Sequence, residues 1–353
     1  MLGSQSPARW ALLLALVLLL PATAVRSQDL VYEARISFPE DTKRLEFSDL
    51  AKLRLLPEYV SLRERYVGPR LRSVEASLSK LGIREADMDQ VILGWHPIPE
   101  EMRRVAETNA EHVDPSLDTK ATSSPRDFST LLCGLAVGRF DRDTIAEHAA
   151  ALGLSETEVG AGLNGYCFQE GASGTCVVVL SESLGAFGTR ASLAKLLDAR
   201  NGRGSNISSD PLWLKLLHEV RKEALIWGVA TGATVADWFQ GWVPGPSEFQ
   251  MDWQQQVKSV EVLSYSLELD EKFRLETKLD CKTPGAASTL KQLFEGLKLL
   301  QELFWRSQNA GRQNPLSGLE LEASDRRVSL KVSGAHSDIT GYSSFPLPHD
   351  VKP

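Results

Sequence analysis

An α+β fold, with antiparallel sheets and helices packed on one face, is predicted by three observations. Apolar and polar residues alternate in two pairs of neighbouring segments near the C-terminus. A helical stripe lies between those pairs, and shorter runs of strand and helix character recur upstream. In chain order, Phe47-Ser48-Asp49-Leu50 opens a region that becomes helical from about residue 57 to 81, and residues 91 to 95 read as a buried strand. Residues 97 to 128 are polar, acidic and rich in Ser and Thr, with Pro97, Pro99, Pro115 and Pro125, the composition of a long surface loop. A strand over 131–140, helices over 143–152, 189–199 and 211–224, and a strand over 225–230 follow.

The C-terminal pattern is the clearest. Leu263, Tyr265, Leu267 and Leu269 share one face; Phe273, Leu275, Thr277, Leu279 and Cys281 share the face of the next strand. The three-residue turn Asp270-Glu271-Lys272 keeps those faces aligned. Thr283 offers a cap and Pro284 a first-turn residue, and Ala286, Leu290, Leu293, Leu297, Leu300 and Phe304 form one helical stripe. Leu319, Leu321 and Ala323, then Val328, Leu330 and Val332, supply two more strands. Residues 255–335 are thus expected to form a β-β-α-β-β domain, and residues 28–245 an N-terminal α+β domain. The Gly- and Pro-bearing stretch 241–247 is the expected boundary, and 336–353 a disordered tail.

Residues 1–27 read as a signal peptide: Arg9, an apolar run from residue 10 to 20, Pro21, and the small residues Ala22-Thr23-Ala24. Cleavage is expected after Ala24 or Ser27; the run is short for a bilayer span of about 20 residues. The formal charge of -7 becomes -9 when Arg9 and Arg26 leave with a leader that carries no acid. An acidic product with scattered basic residues makes nucleic acid a poor partner. A membrane partner is expected only if the leader is retained.

Four cysteines allow three complete pairings. Residues 165–168 and 175–180 read as a hairpin with a glycine-bearing turn. With Gln169 facing Gly174, Cys167 sits opposite Cys176, and this pair is the expected disulfide. Cys133 and Cys281 either pair with each other or stay as buried thiols.

No motif specifies a reaction. Gly160-Ala161-Gly162-Leu163-Asn164-Gly165 spells a dinucleotide-loop pattern, but it feeds a strand rather than opening a helix, so a turn is the better reading. Ser77-Leu78-Ser79-Lys80 and Ser192-Leu193-Ala194-Lys195 match Ser-x-x-Lys without the companion elements of a serine acyl-enzyme. His96, His112, His148, His218, His336 and His349 lack zinc spacing and read as surface or half-buried polar residues. Asp87 and Asp89, and Asp141 and Asp143, read as capping or turn residues rather than calcium ligands. No catalytic, cofactor-binding or metal-binding residue is therefore assigned, and no cofactor is expected.

Trp227, Trp238, Phe239, Trp242, Phe249 and Trp253 concentrate aromatic content near the expected boundary. Packing is the favoured account, with Trp238, Trp242 and Trp253 the best candidate binding surface. Asn206-Ile207-Ser208, beside Gly202, Gly204 and Ser205 on an expected exposed loop, would accept an N-glycan in a eukaryotic secretory route and means nothing in a bacterium.

Phe38-Pro39-Glu40-Asp41-Thr42 leading to residues 45–50, and later residues 224–229, resemble uncharacterised exported α+β proteins of acidobacterial-type bacteria over most of the chain. The resemblance implies export, and no activity is carried over from it. The expected function is non-enzymatic and extracytoplasmic, periplasmic or secreted, binding an unknown protein or envelope component or taking part in envelope assembly. Its rivals are an exported hydrolase whose site is assembled from distant residues, and a membrane-tethered domain that keeps its leader.

Overall fold

Charged and apolar residues alternate through Arg44-Leu45-Glu46-Phe47-Ser48-Asp49, and these six form β1 (Arg44–Asp49), a central strand where the sequence had pointed only to the approach of a helix. The half-buried Arg44 and Glu46 obscure the pattern, because neither looks like a residue of a covered sheet. A computed structural model describes residues 26–57, 59–67, 69–98, 130–168, 174–220, 223–236, 257–269, 272–308 and 318–335, with 239, 255 and 314. The leader up to residue 25, most of the expected loop at 97–128 and the tail at 336–353 lie outside the described residues.

Around β1 the described strands are β2 (Met88–Pro97), β3 (Thr130–Gly138), β4 (Thr157–Gly160), β5 (Leu163–Phe168), β6 (Thr175–Ser181), β7 (Leu184–Thr189), β8 (Ile226–Thr231), β9 (Val260–Leu269), β10 (Phe273–Cys281), β11 (Glu320–Ser324) and β12 (Arg327–Gly334). They make one antiparallel sheet in the order β11-β12-β10-β9-β8-β1-β2-β3-β7-β6-β5-β4. The sheet runs on through the expected boundary, since β8 pairs directly with β9, Ile226 opposite Leu267 and Thr231 opposite Val262.

The described helices are α1 (Arg26–Ser37), α2 (Leu50–Leu53), α3 (Tyr59–Tyr66), α4 (Pro69–Lys80), α5 (Arg142–Ala151), α6 (Arg190–Arg200), α7 (Pro211–Glu219) and α8 (Pro284–Gln308). Helix α1 begins at Arg26, between the two expected cleavage points. Asp141 caps α5, accepting from the backbone N–H of Asp143 and Thr144 at 3.1 and 3.4 Å.

The C-terminal unit is β-β-α-β-β. Leu269, Leu267, Tyr265 and Leu263 face Phe273, Leu275, Thr277 and Leu279 in register. Thr283 Oγ1 accepts from Ala286 N at 3.1 Å, and α8 lays Ala287, Leu290 and Phe294 on one face of the strands. The buried stripe departs from the expected one: Ala287 and Phe294 are buried in place of Ala286 and Leu293, which are only partly buried, and the expected Leu300 is 41% exposed. The opposite face of β10 carries Arg274, Glu276, Lys278 and Asp280.

Upstream, helices cover both faces. Helices α1, α6 and α7 pack over Phe47, Ile92, Cys133, Leu135, Val178 and Trp227, while α4 and α5 pack over Leu93, Leu132, Ala136, Val177 and Phe187. Strands β3 and β7 accordingly read as unbroken apolar runs, the pattern of strands buried on both sides. Phe47 and Trp227 stack with centroids 5.5 Å apart. Burying each side chain contributes about 2–3 kcal/mol, and the stacking about 1 kcal/mol more.

Candidate functional site: a buried histidine and thiol

Strand β2 places Ile92, Gly94 and His96 on the face covered by α1, and Gly94 lies opposite Cys133 of β3. A side chain at Gly94 would collide with Phe38, since an added Cβ would stand 2.3 Å from its ring. Phe38, just after α1, therefore sits over Gly94 and stacks on His96, with centroids 6.2 Å apart. His96 Nε2 lies 3.0 Å from Cys133 Sγ, and both side chains are 0% exposed.

The other imidazole nitrogen is fixed by the turn after α1. Thr42 Oγ1 donates to Pro39 O at 2.6 Å, which leaves its lone pair to accept from His96 Nδ1 at 3.1 Å. Asp41 Oδ1 lies 3.6 Å from the same nitrogen, a charge contact rather than a hydrogen bond. Lys195 of α6 donates to Asp41 Oδ2 at 2.9 Å. A chain of contacts thus runs from a sealed thiol to a carboxylate and an ammonium that are 42% and 38% exposed.

Burial pulls the His96 pKa down, but the sulfur of Cys133 and the carboxylate of Asp41 outweigh it and hold the value up to about 9. These contacts favour the protonated imidazole, whose ring nitrogens face Thr42 Oγ1 and Cys133 Sγ. The Asp41 carboxyl is held well below the usual range by His96 and, against its partial burial, by Lys195.

A thiol, an imidazole and a carboxylate are the parts of an activated nucleophile. No substrate reaches Sγ in this conformation, because α1, Phe38 and α6 cover it. What the arrangement does as it stands is pin the 38–42 turn, and with it α1, to the sheet. His96 is fully buried, not the surface or half-buried residue expected of it. The signal that could have found it, a lone histidine in an apolar run, also fits a core histidine.

Cys167 and Cys176 face each other in register on β5 and β6 and are joined by a disulfide, S–S 2.03 Å. Cys133 and Cys281 are free and buried, in separate cores. Gly188 of β7 stands between Cys133 and Cys176, so the free thiol is two strand spacings, about 9–10 Å, from the disulfide. Exchange between them needs backbone movement.

A second polar cluster lies on the opposite face. Tyr265 donates to Glu46, Arg44 pairs with Glu46, and the Arg44 guanidinium stands 4.5 Å over the Trp95 ring. Gly228 makes room for this, since a Cβ there would stand 2.4 Å from the Tyr265 ring. Burial, and then Glu46, push the Tyr265 phenol well above its usual pKa. An open cleft of about 280 Å³ beside α4 contains Arg63, Arg72, Glu75 and Glu85. Arg63 is already occupied there, by Glu75 at 2.7 Å and Glu85 at 3.5 Å.

The remaining motifs take structural roles. The 160–165 glycines turn the β4–β5 hairpin, with Ala161 and Gly162 both left-handed at φ 54° and 76°. Lys195 of the second Ser-x-x-Lys match is paired with Asp41. Asn206 is no free glycan acceptor: its Nδ2 donates to Ile36 O at 3.2 Å while its Oδ1 accepts from Ser208 N at 3.0 Å. Trp238, Trp242 and Trp253 lie outside the described residues. Of the same aromatic group, Trp227 and Phe239 are core residues, and Phe239 stacks on Phe294 at 5.9 Å.

The disulfide is compatible with an extracytoplasmic setting, and among the described residues no helix is long and apolar enough to cross a membrane. No family model and no curated protein matches the chain. A solved structure described as "Structure of crystal form I of TP0453" is similar over 88% of this chain and 96% of that one, with a TM-score of 0.45 and 8% sequence identity.

Proposed function

We propose that this chain is exported and works outside the cytoplasm as a binding or assembly protein, periplasmic or secreted, and not as an enzyme. The observation that carries the reading is the Cys167–Cys176 disulfide, which suits an oxidising compartment. The leader pattern at residues 1–27 supports it. The burial of Cys133 and His96 supports a non-enzymatic role. Expression of the full chain in a bacterium with an export pathway, followed by fractionation and N-terminal sequencing, tests the export half. A mature N-terminus at Val25 or Gln28 in the extracytoplasmic fraction is the expected result, and an intact Met1 in the cytosol would refute it.

One observation favours a second reading. His96 lies 3.0 Å from Cys133 Sγ with Asp41 behind it, so a hydrolase that opens by lifting α1 remains chemically coherent. Iodoacetamide labelling of Cys133 in the native protein would favour that reading, and protection would remove it.

A further inference from the structure

The β4–β5 hairpin at one end of the sheet is thinly held. Among the described residues β4 pairs only with β5, through three residue pairs with a bulge between them. Strand β5 pairs with β6 through three more, Tyr166 with Val177, Cys167 with Cys176 and Phe168 with Thr175. Of residues 157–168 only Val159 and Gly165 are buried, whereas β7, two strands further in, is buried at five of its six positions. A segment with so few buried apolar contacts opens at a lower free energy than the core. The hairpin is also tied to α6: Arg190 Nη2 donates to Glu158 O at 2.9 Å, and a Cβ added at Gly160 would stand 2.8 Å from Ala194 Cα. The middle one of the three β5–β6 pairs carries the disulfide. We propose that the Cys167–Cys176 bond is a redox latch: a dithiol that reduces it frees the β4–β5 hairpin from β6 while the rest of the sheet stays folded.

The two sulfurs differ in access. Cys176 is 0% exposed, and Cys167 is only partly buried, so an incoming thiolate attacks Cys167 Sγ. The S–S bond breaks, Cys176 Sγ leaves with the electron pair and takes up a proton, and a mixed disulfide joins Cys167 to the reductant. The second thiolate of the dithiol attacks the reductant's own sulfur in that mixed disulfide and expels Cys167, which is protonated in turn. The dithiol ends as a disulfide, and the protein gains two thiols.

The freed thiols have no rival partner. Cys133 lies two strand spacings from Cys176, across Gly188, beyond the reach of a disulfide, and Cys281 sits in a separate core. Reoxidation therefore returns the same bond, so the change is reversible. Opening uncovers the edge of β6 that faced β5. Its run Cys176-Val177-Val178-Val179-Leu180 is apolar and uncharged, the kind of edge that a folded protein keeps covered.

The inference rests on the bond that carries the reading above, and not on where the chain is processed. Amide hydrogen exchange on the full oxidised chain, with and without dithiothreitol, tests it. In the reduced chain residues 157–168 are expected to exchange within about tenfold of an unstructured peptide, while β1, β2 and β8 stay protected by at least about a hundredfold. Reoxidation should restore slow exchange at 157–168. Cys167→Ser with Cys176→Ser should match the reduced chain and ignore dithiothreitol. With glutathione, a monothiol, the first adduct should map to Cys167. Residues 157–168 that stay protected after reduction overturn the proposal, because packing alone then holds the hairpin. So does loss of protection over the whole sheet at once, which would make the bond a general staple. A bond that dithiothreitol leaves intact in the folded chain, or a first adduct on Cys176, overturns it as well. A chain recovered from the cytosol and oxidised in vitro gives the same readout, so failure here is distinguishable from failure of export.

Discussion

His96 Nε2 and Cys133 Sγ, 37 residues apart in sequence, lie 3.0 Å apart between β2 and β3, and neither side chain is exposed to solvent. The contact joins a turn, two strands and, through Asp41, the ammonium of Lys195 on α6.

Removal of the sulfur should lower the His96 pKa, because Cys133 is the largest influence holding it up. Imidazole titration by NMR is expected to show a value closer to 6.5 in Cys133→Ala than in the parent protein. An unchanged value would mean that Asp41 alone sets it.

Stability should depend on pH through the same pair. The His96 value is raised from 6.5 to about 9, so its contribution is complete below about 6.5, declines as pH rises and is gone above about 9, amounting to at most about 3 kcal/mol. Asp41 is shifted the other way, so its contribution is present above about 3.8 and is lost as pH falls. Urea unfolding is expected to show greatest stability between about pH 4 and 6.5, with the alkaline decline flattened in His96→Gln.

Thiol reactivity should separate the four cysteines. Cys133 and Cys281 are free and buried, so a thiol reagent should label neither in the native state and both after denaturation. Loss of the disulfide through Cys167→Ser with Cys176→Ser should cost about 2–3 kcal/mol, the loop-closure value for so short a loop. Calorimetry or urea unfolding reads that loss.

Gly228→Ala should destabilise the protein by about 2 kcal/mol or more, because the new Cβ meets the Tyr265 ring at 2.4 Å and the ring must leave Glu46. The cost should shrink when Tyr265→Ala is already present. Additive costs in that double-mutant cycle would place the strain elsewhere.

Legibility followed contact range. The alternation in β9 and β10 reports a neighbouring strand and one wet face, so that hairpin was readable from its own residues. Helix α8 is readable in extent, but its stripe is misplaced at Ala286, Leu293 and Leu300, because neighbouring apolar residues offer alternative faces and only the sheet decides between them. Strand β1 is hidden by its half-buried Arg44 and Glu46, whose partners Trp95 and Tyr265 come from strands far away in sequence. The direct pairing of β8 with β9, which makes one sheet of the two expected regions, is likewise non-local. The His96–Cys133 contact crosses the polar stretch between β2 and β3, and no spacing rule joins residues across such a gap.

The most direct measurement of the central claim is intact mass, before and after reduction, on the protein recovered from its own extracytoplasmic fraction. The expected result is a chain lacking its leader and about 2 Da lighter than its fully reduced form, with the bond mapped to Cys167 and Cys176. A full-length cytosolic chain with all four thiols reduced would contradict it.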